Sequence, residues 1–434
     1  MSTFAVMEAV FTILAVFLLV QSVVALLAGL RLARYAWRAL SAARERYVPK
    51  IALIIPCKGV EPDFDENIIA YLAQDYRHYE LIFVTETDTD PAYLALKRIL
   101  ADSNRSAWLI TAGEAQNRGQ KVHNLCAALD ALNAVDRKTE VLVFADSDAR
   151  PDANWLQELV APLADPRIAA TTGFRWYLPL SAKARRNVWS YLLSAWNAGA
   201  LSLLGERSSF AWGGATAINR DTFDELRIKE RWETGAVSDD YVLSHAVHAA
   251  RSRIKFVPQC LVVSEAQTTW RNLLEFTARQ MTITRVYAPR VWGLTAITHT
   301  LFNFTFWGGL IALAFGLVSA ATLLPLLVGI FVLGLMTGAI RGFLAAQLLP
   351  EEVRPQVRRS WWAYLFLHPF VSLLYLHNIV VSARTNRIVW RGIGYEMRSP
   401  HETIIWHRPQ PAHRLSETQR KPSGAAAKTS SLDS

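Results

Sequence analysis

The sequence has few cysteines and few charged residues for its length. Its 434 residues include three cysteines, Cys57, Cys126 and Cys260, and these lack both metal-ligand spacing and a disulfide framework. We therefore expect free thiols in a reducing compartment. Only 19% of the residues are charged, whereas 52% are hydrophobic, and this balance is apolar for a soluble protein.

Two nucleotide-binding motifs are missing. The chain has neither a GxxxxGK[ST] sequence nor a GxGxxG sequence, which argues against a P-loop ATPase and against a dinucleotide-dependent dehydrogenase. The formal net charge is +9, but most of the excess flanks apolar segments. Contact with anionic lipid headgroups explains that charge more simply than nucleic acid does, so no nucleic-acid partner is expected.

The longest hydrophobic run lies at the N-terminus. Residues 4–30 carry one charge, Glu8, and exceed the roughly 20 residues that cross a bilayer core. With no basic n-region and no cleavage site, residues 1–31 are predicted to be a retained transmembrane anchor. A basic cluster follows it: Arg31, Arg34, Arg38, Arg44, Arg46 and Lys50. The positive-inside bias then predicts an integral protein of the inner (cytoplasmic) membrane, or its equivalent, with the next region in the cytoplasm.

A second membrane region is predicted at residues 297–384. Residues 297–340 are long enough for two spans with a turn near Leu324 and Pro325. A crossing by 361–383 would put the arginines that follow it outside, against the positive-inside bias. We therefore expect 361–383 to dip into the membrane or to lie along its interface. Residues 400–434 are expected to form a disordered basic tail.

The region between the membrane segments, residues 48–290, alternates strand and helix patterns. Buried-strand patterns occur at 50–59, 79–92, 107–113 and 141–148, and helical patterns occur at 66–75, 91–102 and 121–132. This alternation predicts an α/β domain with a doubly wound, mostly parallel sheet. Such sheets bind ligands outside the carboxyl ends of their strands, where Glu86, Asp146 and Asp148 are expected to converge.

The stretch VLVFADSDAR, residues 141–150, places two carboxylates at a strand end. Residues i and i+2 of an extended chain share a face, so Asp146 and Asp148 should project together. Such a pair suits a hard divalent cation that also binds phosphate oxygens. The alternative is a polar strand-to-helix turn in which Asp148 or Asp152 caps the helix near NWLQELV.

Seven segments resemble, in order and spacing, the ceramide glucosyltransferase group of the family 2 inverting glycosyltransferases. They are IPCKGVEPDFDENI, LAQDYRHYELIFVTETDTDPA, KVHNL, VFADSDARPDANWL, WGGATAINRDTF, SDDYVLSHAV and EFTARQMTITR. The resemblance covers about residues 48–290. It implies a GT-A-type nucleotide-sugar domain that uses a UDP-sugar and a divalent metal ion, Mg or Mn.

The resemblance also implies residue roles on the donor side. Glu86 would contact the nucleotide base, and Lys121 would touch phosphate. Asp146 and Asp148 would form the DxD motif, with Asp148 the more direct metal ligand. Arg279 would stabilise the leaving group, although Phe276 and Gln280 depart from the family's (Q/R)xxRW pattern.

On the acceptor side, Asp240 of the SDDY motif would be the general base, with Asp239 beside it. Asp239 is also a candidate N-cap of the following helix. The WGG sequence at Trp212, Gly213 and Gly214 forms either a tight turn or a close backbone approach to a sugar, because glycine permits both.

Three functions are compatible with these features. The first is transfer of a hexose from a UDP-sugar to a hydroxyl of a membrane lipid, such as a ceramide-like lipid or diacylglycerol. The apolar segment 187–205 would then lie in the membrane interface beside the site, or else be a buried core helix. The second is a processive polysaccharide synthase, which would yield a polymer instead of a discrete lipid product. The third is a catalytically inactive membrane scaffold or sugar-nucleotide sensor, which would release no UDP.

Overall fold

The computed structural model describes residues 3–42, 47–61, 63–135, 138–206 and 209–409. Seven strands form its main sheet: β1 (Ile51–Pro56), β2 (Tyr79–Thr85), β3 (Trp108–Thr111), β4 (Val141–Ala145), β5 (Ile168–Leu178), β6 (Ala215–Asn219) and β7 (Arg253–Glu265). Their order is β3-β2-β1-β4-β6-β5-β7. Only β6 is antiparallel to its neighbours among these strands. The predicted mostly parallel α/β sheet is confirmed.

Helices cover both faces of the sheet and extend beyond it. They are α1 (Thr3–Ser41), α2 (Phe64–Leu72), α3 (Pro91–Ala101), α4 (Gln120–Val135), α5 (Trp155–Val160), α6 (Ala182–Arg185), α7 (Val188–Gly199), α8 (Arg220–Glu225), α9 (Ile228–Glu233), α10 (Asp239–Ala249), α11 (Trp270–Tyr287), α12 (Pro289–Phe302), α13 (Gly308–Ala314), α14 (Ala320–Leu348), α15 (Arg354–Phe366) and α16 (His368–Arg384).

Strand β1 shows how the sheet produces two cores. Its side chains alternate between faces, so Ile54 packs with α4 and α10 on one side, whereas Leu53 and Ile55 pack with α2 and α5 on the other. A strand buried on both faces is a continuous apolar run, which is why this part of the sheet is visible in the sequence.

Three helical segments are long and apolar enough to cross a membrane: α1, the segment Pro289–Ala314 that contains α12 and α13, and α14. The chain is therefore a membrane protein with apolar helices on both sides of its sheet domain in sequence. Helix α1 continues through Arg31, Arg34 and Arg38, while Arg44 and Arg46 lie outside the described residues.

The sequence predicted a turn between the last two spans near Leu324 and Pro325, and this prediction is wrong. Pro325 lies inside α14, and the chain instead turns at residues 315–319. Gly316 adopts a positive φ of 65° there, and the amide of Leu317 bonds to the carbonyl of Ala312 at 2.9 Å. Glycine after a helix end adopts this left-handed conformation without strain, so Gly316, and not the proline, marks the turn.

The third apolar segment of the C-terminal region is bent. The segments Glu351–Phe366 and His368–Arg384 meet at an angle of 71°, next to the His368-Pro369 pair. Proline restricts the residue before it and favours such a break. Whether 361–383 crosses the membrane stays a prediction.

The chain after α16 is folded further than expected. Three strands, β8 (Arg387–Trp390), β9 (Ile393–Ser399) and β10 (Glu402–His407), form an antiparallel sheet. Tyr395 and Met397 are buried in the same core as α4 and α10. The expectation of disorder from residue 400 is thus wrong for β10, and residues 410–434 lie outside the described part of the chain.

Candidate active site

A cavity of about 1180 Å³ opens at the carboxyl ends of the parallel strands. Its upper part is lined by Lys58 after β1, by Asp146 and Asp148 after β4, and by the start of α10. Its lower part continues between α1, α12, α14 and α16, where Leu18 is one of the lining residues. One continuous space therefore joins the ends of the strands to the apolar helices.

Asp146 and Asp148 share a partner that the sequence interpretation missed. Arg175, in the middle of β5, donates from Nη2 to Asp146 Oδ2 and from Nη1 to Asp148 Oδ2, each at 2.9 Å. Its guanidinium is held by the hydroxyl of Tyr177 at 2.9 Å and lies over the ring of Trp212. Asp148 is thus a partner of Arg175, and it is Asp152 that accepts a bond from the amide of Asn154 at the start of α5.

Lys121, from the first turn of α4, joins the two acidic pairs. Its Nζ is 2.9 Å from Asp146 Oδ1, 3.3 Å from Asp239 Oδ1 and 3.3 Å from the carbonyl of Gly213. Burial would raise the pKa of the Asp146 carboxyl, but Lys121 and Arg175 together hold that pKa below its usual value. The residue that the resemblance assigns to phosphate is therefore fixed by carboxylates in this structure.

Asp239 and Asp240 open α10 but have different environments. The N-cap is Ser238, whose side chain accepts from the amide of Tyr241, so Asp239 is not the cap. Asp239 is only 4% exposed, and burial raises the pKa of its carboxyl to about 6, with the charge of Asp240 adding to the rise and Lys121 opposing it.

The two carboxylate oxygens of Asp240 are not equivalent. Oδ1 accepts hydrogen bonds from the Ser238 hydroxyl and from the Tyr241 amide, the latter at 2.8 Å. Oδ2 has a long contact, 3.4 Å, from the amide of Gly213. Because Oδ1 is already occupied, Oδ2 is the oxygen that can receive a proton inside the cavity.

The glycines of the WGG sequence are required by protein side chains. A Cβ on Gly213 would lie 2.3 Å from Asp239 Oδ2, and one on Gly214 would lie 2.1 Å from the ring of Trp212. Trp212 and Gly213 line the cavity, whereas Gly214 does not. The tight-turn alternative is present in the structure, since the amide of Ala215 bonds to the carbonyl of Trp212 at 2.9 Å. The atoms that approach the glycines of this turn belong to Asp239 and Trp212.

Glu86 lies one contact away from the cavity. Its carboxylate pairs with Lys58, which lines the cavity, and accepts from Arg408 Nη1 at 2.7 Å. Arg408 follows β10 and also donates to the carbonyl of Ala115 at 2.6 Å. The segment that follows the C-terminal sheet therefore forms an ion pair with Glu86, the predicted base-binding residue.

Arg279 lines the cavity from α11. Its Nη1 donates to the carbonyl of Val389 in β8 at 3.3 Å, and its guanidinium lies 5.4 Å from the centre of the Phe276 ring. The residue at the unusual Phe276 position thus supports the arginine by stacking.

The charges around the strand ends leave a deficit of positive charge. In the cluster around the DxD motif the acidic side chains are Asp146, Asp148, Asp239 and Asp240, and the basic ones are Lys121 and Arg175, whereas Lys58 pairs with Glu86 outside this cluster. With all six groups ionised the formal charge is about −2, and oxygen donors of this kind suit Mg²⁺ or Mn²⁺. Within the described residues no group of three or more His, Cys, Asp or Glu side chains is arranged to hold a metal ion.

The family model for glycosyl transferase family 21 matches residues 12–403. The chain therefore belongs to glycosyl transferase family 21, and it is a glycosyltransferase. This agrees with the predicted class of enzyme, although the resemblance was drawn to the ceramide glucosyltransferase group of family 2.

Two solved structures are similar to this chain at low sequence identity. The mannosyltransferase PcManGT from Pyrobaculum calidifontis, in complex with GDP-Man and Mn²⁺, is 18% identical over 87% of this chain and 98% of that chain, with a TM-score of 0.46. The glucosyl-3-phosphoglycerate synthase from Mycobacterium tuberculosis, in complex with Mn²⁺ and UDP-glucose, is 16% identical over 56% of this chain and 79% of that chain, with a TM-score of 0.35. The assignment of this chain rests on the family match and on its own sheet order.

Proposed function

We propose that this enzyme transfers a hexose, with inversion, from a UDP-sugar to a hydroxyl group of a membrane lipid, at the cytoplasmic face of the membrane. The observation that carries the proposal is the continuous cavity, which joins the carboxylates of Asp146, Asp148 and Asp240 to the space between the apolar helices. A soluble acceptor would need no such continuation.

The donor is assigned to the upper end of the cavity. Asp146 and Asp148 would hold the divalent metal ion, which when bound supplies Lewis-acid stabilisation of the leaving diphosphate. Arg175 orients both carboxylates, and Lys121 fixes Asp146 against Asp239. Arg279 is available to the growing negative charge on the leaving group. Glu86 would contact the base once Lys58 or Arg408 yields a hydrogen-bonding position.

The acceptor enters from the membrane side. Its hydroxyl oxygen forms a bond to the anomeric carbon while the bond from that carbon to the diphosphate oxygen breaks on the opposite face. The hydroxyl proton passes to Oδ2 of Asp240, and the diphosphate leaves as UDP. One base is enough because no covalent sugar–enzyme intermediate forms.

Helix α7 belongs to the acceptor side as a buried element. Nine of its twelve residues are buried, so the structure favours the core alternative over an interfacial helix. Trp196 and Asn197 at its C-terminal end line the cavity. The helix therefore contributes a wall between the strand ends and the membrane helices.

The test is transfer by the full-length protein in lipid nanodiscs. A panel of UDP-hexoses and hydroxyl-bearing lipids is supplied, UDP release is followed, and the products are identified by mass spectrometry. We expect UDP release that depends on the lipid, together with a discrete glycolipid. A polymeric product would indicate the polysaccharide synthase instead, and lipid-independent hydrolysis would contradict the acceptor assignment.

Asp240→Asn is the decisive variant. Loss of the general base should lower kcat about 10³-fold while UDP-sugar affinity changes little. Asp221→Asn, an exposed aspartate on α8, is the matched control and should behave as wild type. If D240N lost donor affinity and kept its rate at saturation, Asp240 would be a binding residue and not the base.

A further inference from the structure

A single charged residue occurs within the apolar helix α14. Arg341 is the only Asp, Glu, Lys or Arg between Ala320 and Leu348. It precedes the end of the helix by seven residues, which is about 10 Å along the axis. Arg341 lines the lower part of the cavity, so its charge faces an enclosed space between membrane helices.

The described part of the chain supplies Arg341 with no counter-ion. Between Glu275 and Glu396 the only acidic residues are Glu351 and Glu352. Both are exposed, and Glu351 pairs with Arg354. Within the described part of the chain Arg341 forms no ion pair and no hydrogen bond. A charge held inside the apolar region of a membrane protein is costly and is typically retained for binding or transport.

Three polar rings lie near Arg341. Tyr375, His299 and His368 are near enough to interact with it electrostatically. His299 stacks on Tyr375 with 4.2 Å between ring centres, and Nε2 of His368 is buried without a partner. All four residues line the same cavity.

A series of aromatic ring contacts, one stacked and two edge-to-face, connects the surroundings of Arg341 to the strand ends. Tyr375 stacks on Trp196 at 5.7 Å, Trp196 contacts Phe276 at 6.0 Å, and Phe276 contacts Tyr177 at 5.9 Å. The hydroxyl of Tyr177 accepts from Arg175. A ligand lying along these rings would therefore extend from Arg341 towards the DxD carboxylates.

The rest of the lower cavity is lined by apolar side chains together with a few uncharged polar ones, such as Gln21, Thr298 and Thr337. Its apolar lining includes Leu18, Ala25, Phe302, Ile330, Leu333 and Val371. Such a surface suits acyl or isoprenoid chains and gains free energy by burying them. The lower cavity thus combines an apolar chamber with one unpaired cation.

We propose that Arg341 binds the phosphate group of an anionic lipid, whose chains occupy the apolar chamber and whose hydroxyl group extends towards Asp240. Guanidinium is suited to phosphate because its donors match two phosphate oxygens at once. The lipid-binding part stands on the Arg341 cluster itself. The assignment of this lipid as the acceptor rests on the proposed function.

The test compares two lipids with the same chains. Dioleoylphosphatidylglycerol and dioleoylglycerol both carry a hydroxyl, but only the first carries a phosphate. We expect the full-length protein in neutral detergent to bind dioleoylphosphatidylglycerol about 10- to 100-fold more tightly in equilibrium measurements with radiolabelled lipid, the range of a charge-assisted hydrogen bond. Arg341→Gln should abolish the preference, and Arg341→Lys should retain part of it.

Arg358→Gln is the matched control, because Arg358 is an exposed arginine on α15. It should keep the full preference. Gel filtration and UDP-sugar binding of each variant show that the protein is folded. Equal binding of the two lipids by wild type, or a preference that survives in R341Q, would overturn the proposal.

Two further arms separate the sources of the phosphate and the two proposals. If inorganic phosphate displaced the lipid at concentrations near the lipid's own dissociation constant, the site would be an anion site and the lipid assignment would be wrong. If the preference depended on Arg341 but no lipid received sugar, the binding site would stand and the proposed transfer would fall.

Discussion

The two ends of the cavity differ in whether their buried cations are paired with carboxylates. At the strand ends the cations are matched by the chain itself, since Arg175 pairs with Asp146 and Asp148 and Lys121 pairs with Asp146 and Asp239. In the membrane part, Arg341 has no acidic partner among the residues that the structure describes. Charges that are paired internally orient one another, whereas an unpaired charge inside a membrane protein is costly and typically marks a functional site. The paired charges at the upper end fix the positions of its carboxylates, whereas the proposed ligand of the lower end would supply the missing negative charge.

The largest effect on transfer is expected from substitution of Asp148, at the strand-end part of the cavity where the charges are paired. Asp148→Ala removes the carboxylate that receives two donors of Arg175 and that would hold the metal ion. We expect transfer to fall by about 10³-fold or more, because transition-state stabilisation at the diphosphate is lost. Turnover and metal-dependent binding of the UDP-sugar are the measurements.

Asp221→Ala is the control for this substitution and should leave both quantities unchanged. Unaltered turnover in D148A, or full wild-type activity in excess chelator, would contradict the metal assignment. Lipid binding through Arg341 should remain in D148A, since that charge lies at the other end of the cavity.

A smaller effect is expected from Arg175→Gln, which removes the cation of the pair and leaves its carboxylates. Transfer should fall about 10²-fold, because Asp146 and Asp148 lose the group that orients them. Mn²⁺ binding without nucleotide should become tighter, because a neighbouring positive charge no longer opposes the ion. Electron paramagnetic resonance of free Mn²⁺ measures this directly.

Arg167→Gln is the control for Arg175, because Arg167 is an exposed arginine just before β5 that pairs with Asp165. It should change neither measurement. Weaker Mn²⁺ binding in R175Q would show that the arginine supports the ion by orientation more than it opposes the ion by charge.

Arg175 also shows where sequence reasoning stops. Asp146 and Asp148 follow a continuous apolar strand, so their position at the carboxyl end of a central strand is predictable. Arg175 lies on β5, which runs parallel to β4 but is separated from it by the antiparallel β6, and no local spacing brings it to the DxD pair. The visible clue was an arginine inside the otherwise buried strand Ile168–Leu178, since a buried arginine requires partners.

The fold was predictable to a similar extent. Strands β1, β2 and β4 and the helices between them were predicted because both faces of these strands are buried and the repeats are local. The edge strand β3, which is only partly buried, was predicted from its short apolar run. The sheet of β8 to β10 was not predicted. Its strands are short and partly charged, and they are stabilised by packing against α4 and α10, as with the buried Tyr395 hydroxyl that receives the Gln120 amide at 3.2 Å. Tertiary contacts of this kind leave no periodic pattern in the sequence.

A still smaller effect is expected on the transfer rate when the pH is lowered and Asp239 gains a proton. The pKa of Asp239 is raised to about 6, so this carboxyl is mostly ionised at pH 7 and holds Lys121. As the pH falls through 6 it gains a proton, Lys121 loses one of its partners, and transfer should decline about tenfold by pH 5. The pH–rate profile of Asp239→Asn should lack this inflection.

Stability should change in the opposite direction with pH. Because the pKa of Asp239 is higher in the folded state than the unfolded value near 4, its favourable contribution is complete below about pH 4 and is lost as the pH rises through about 6. The melting temperature of D239N relative to wild type should therefore increase from pH 4 to pH 8. An inflection near pH 6 that persists in D239N would assign the titration to another group.

The packing of β9 restricts the membrane topology of the chain. β9 packs its Tyr395 and Met397 into the core of the sheet domain, so the chain after α16 must lie on the same side of the membrane as that domain. If Pro289–Ala314 and α14 each cross once, the chain is already back on that side at Leu348. An odd crossing by the bent pair α15–α16 would then be inconsistent with the position of β9.

The last test measures the membrane topology by thiol labelling, and its substitutions are expected to leave activity unchanged. Ser399→Cys should resist an impermeant thiol reagent added to sealed cells, because residue 399 would be cytoplasmic. Leu317→Cys, at an exposed residue in the turn between α13 and α14, should react rapidly from outside. The native cysteines are buried, so wild type serves as the blank. Rapid labelling of S399C together with no labelling of L317C would reverse the orientation. Labelling of both residues would place Ser399 on the outer side with the α13–α14 turn, which implies a fourth crossing by residues 361–383. In that case the bent segment could not lie along the cytoplasmic side of the cavity, and the phosphate-binding role of Arg341 would have to be reconsidered with respect to the outer leaflet.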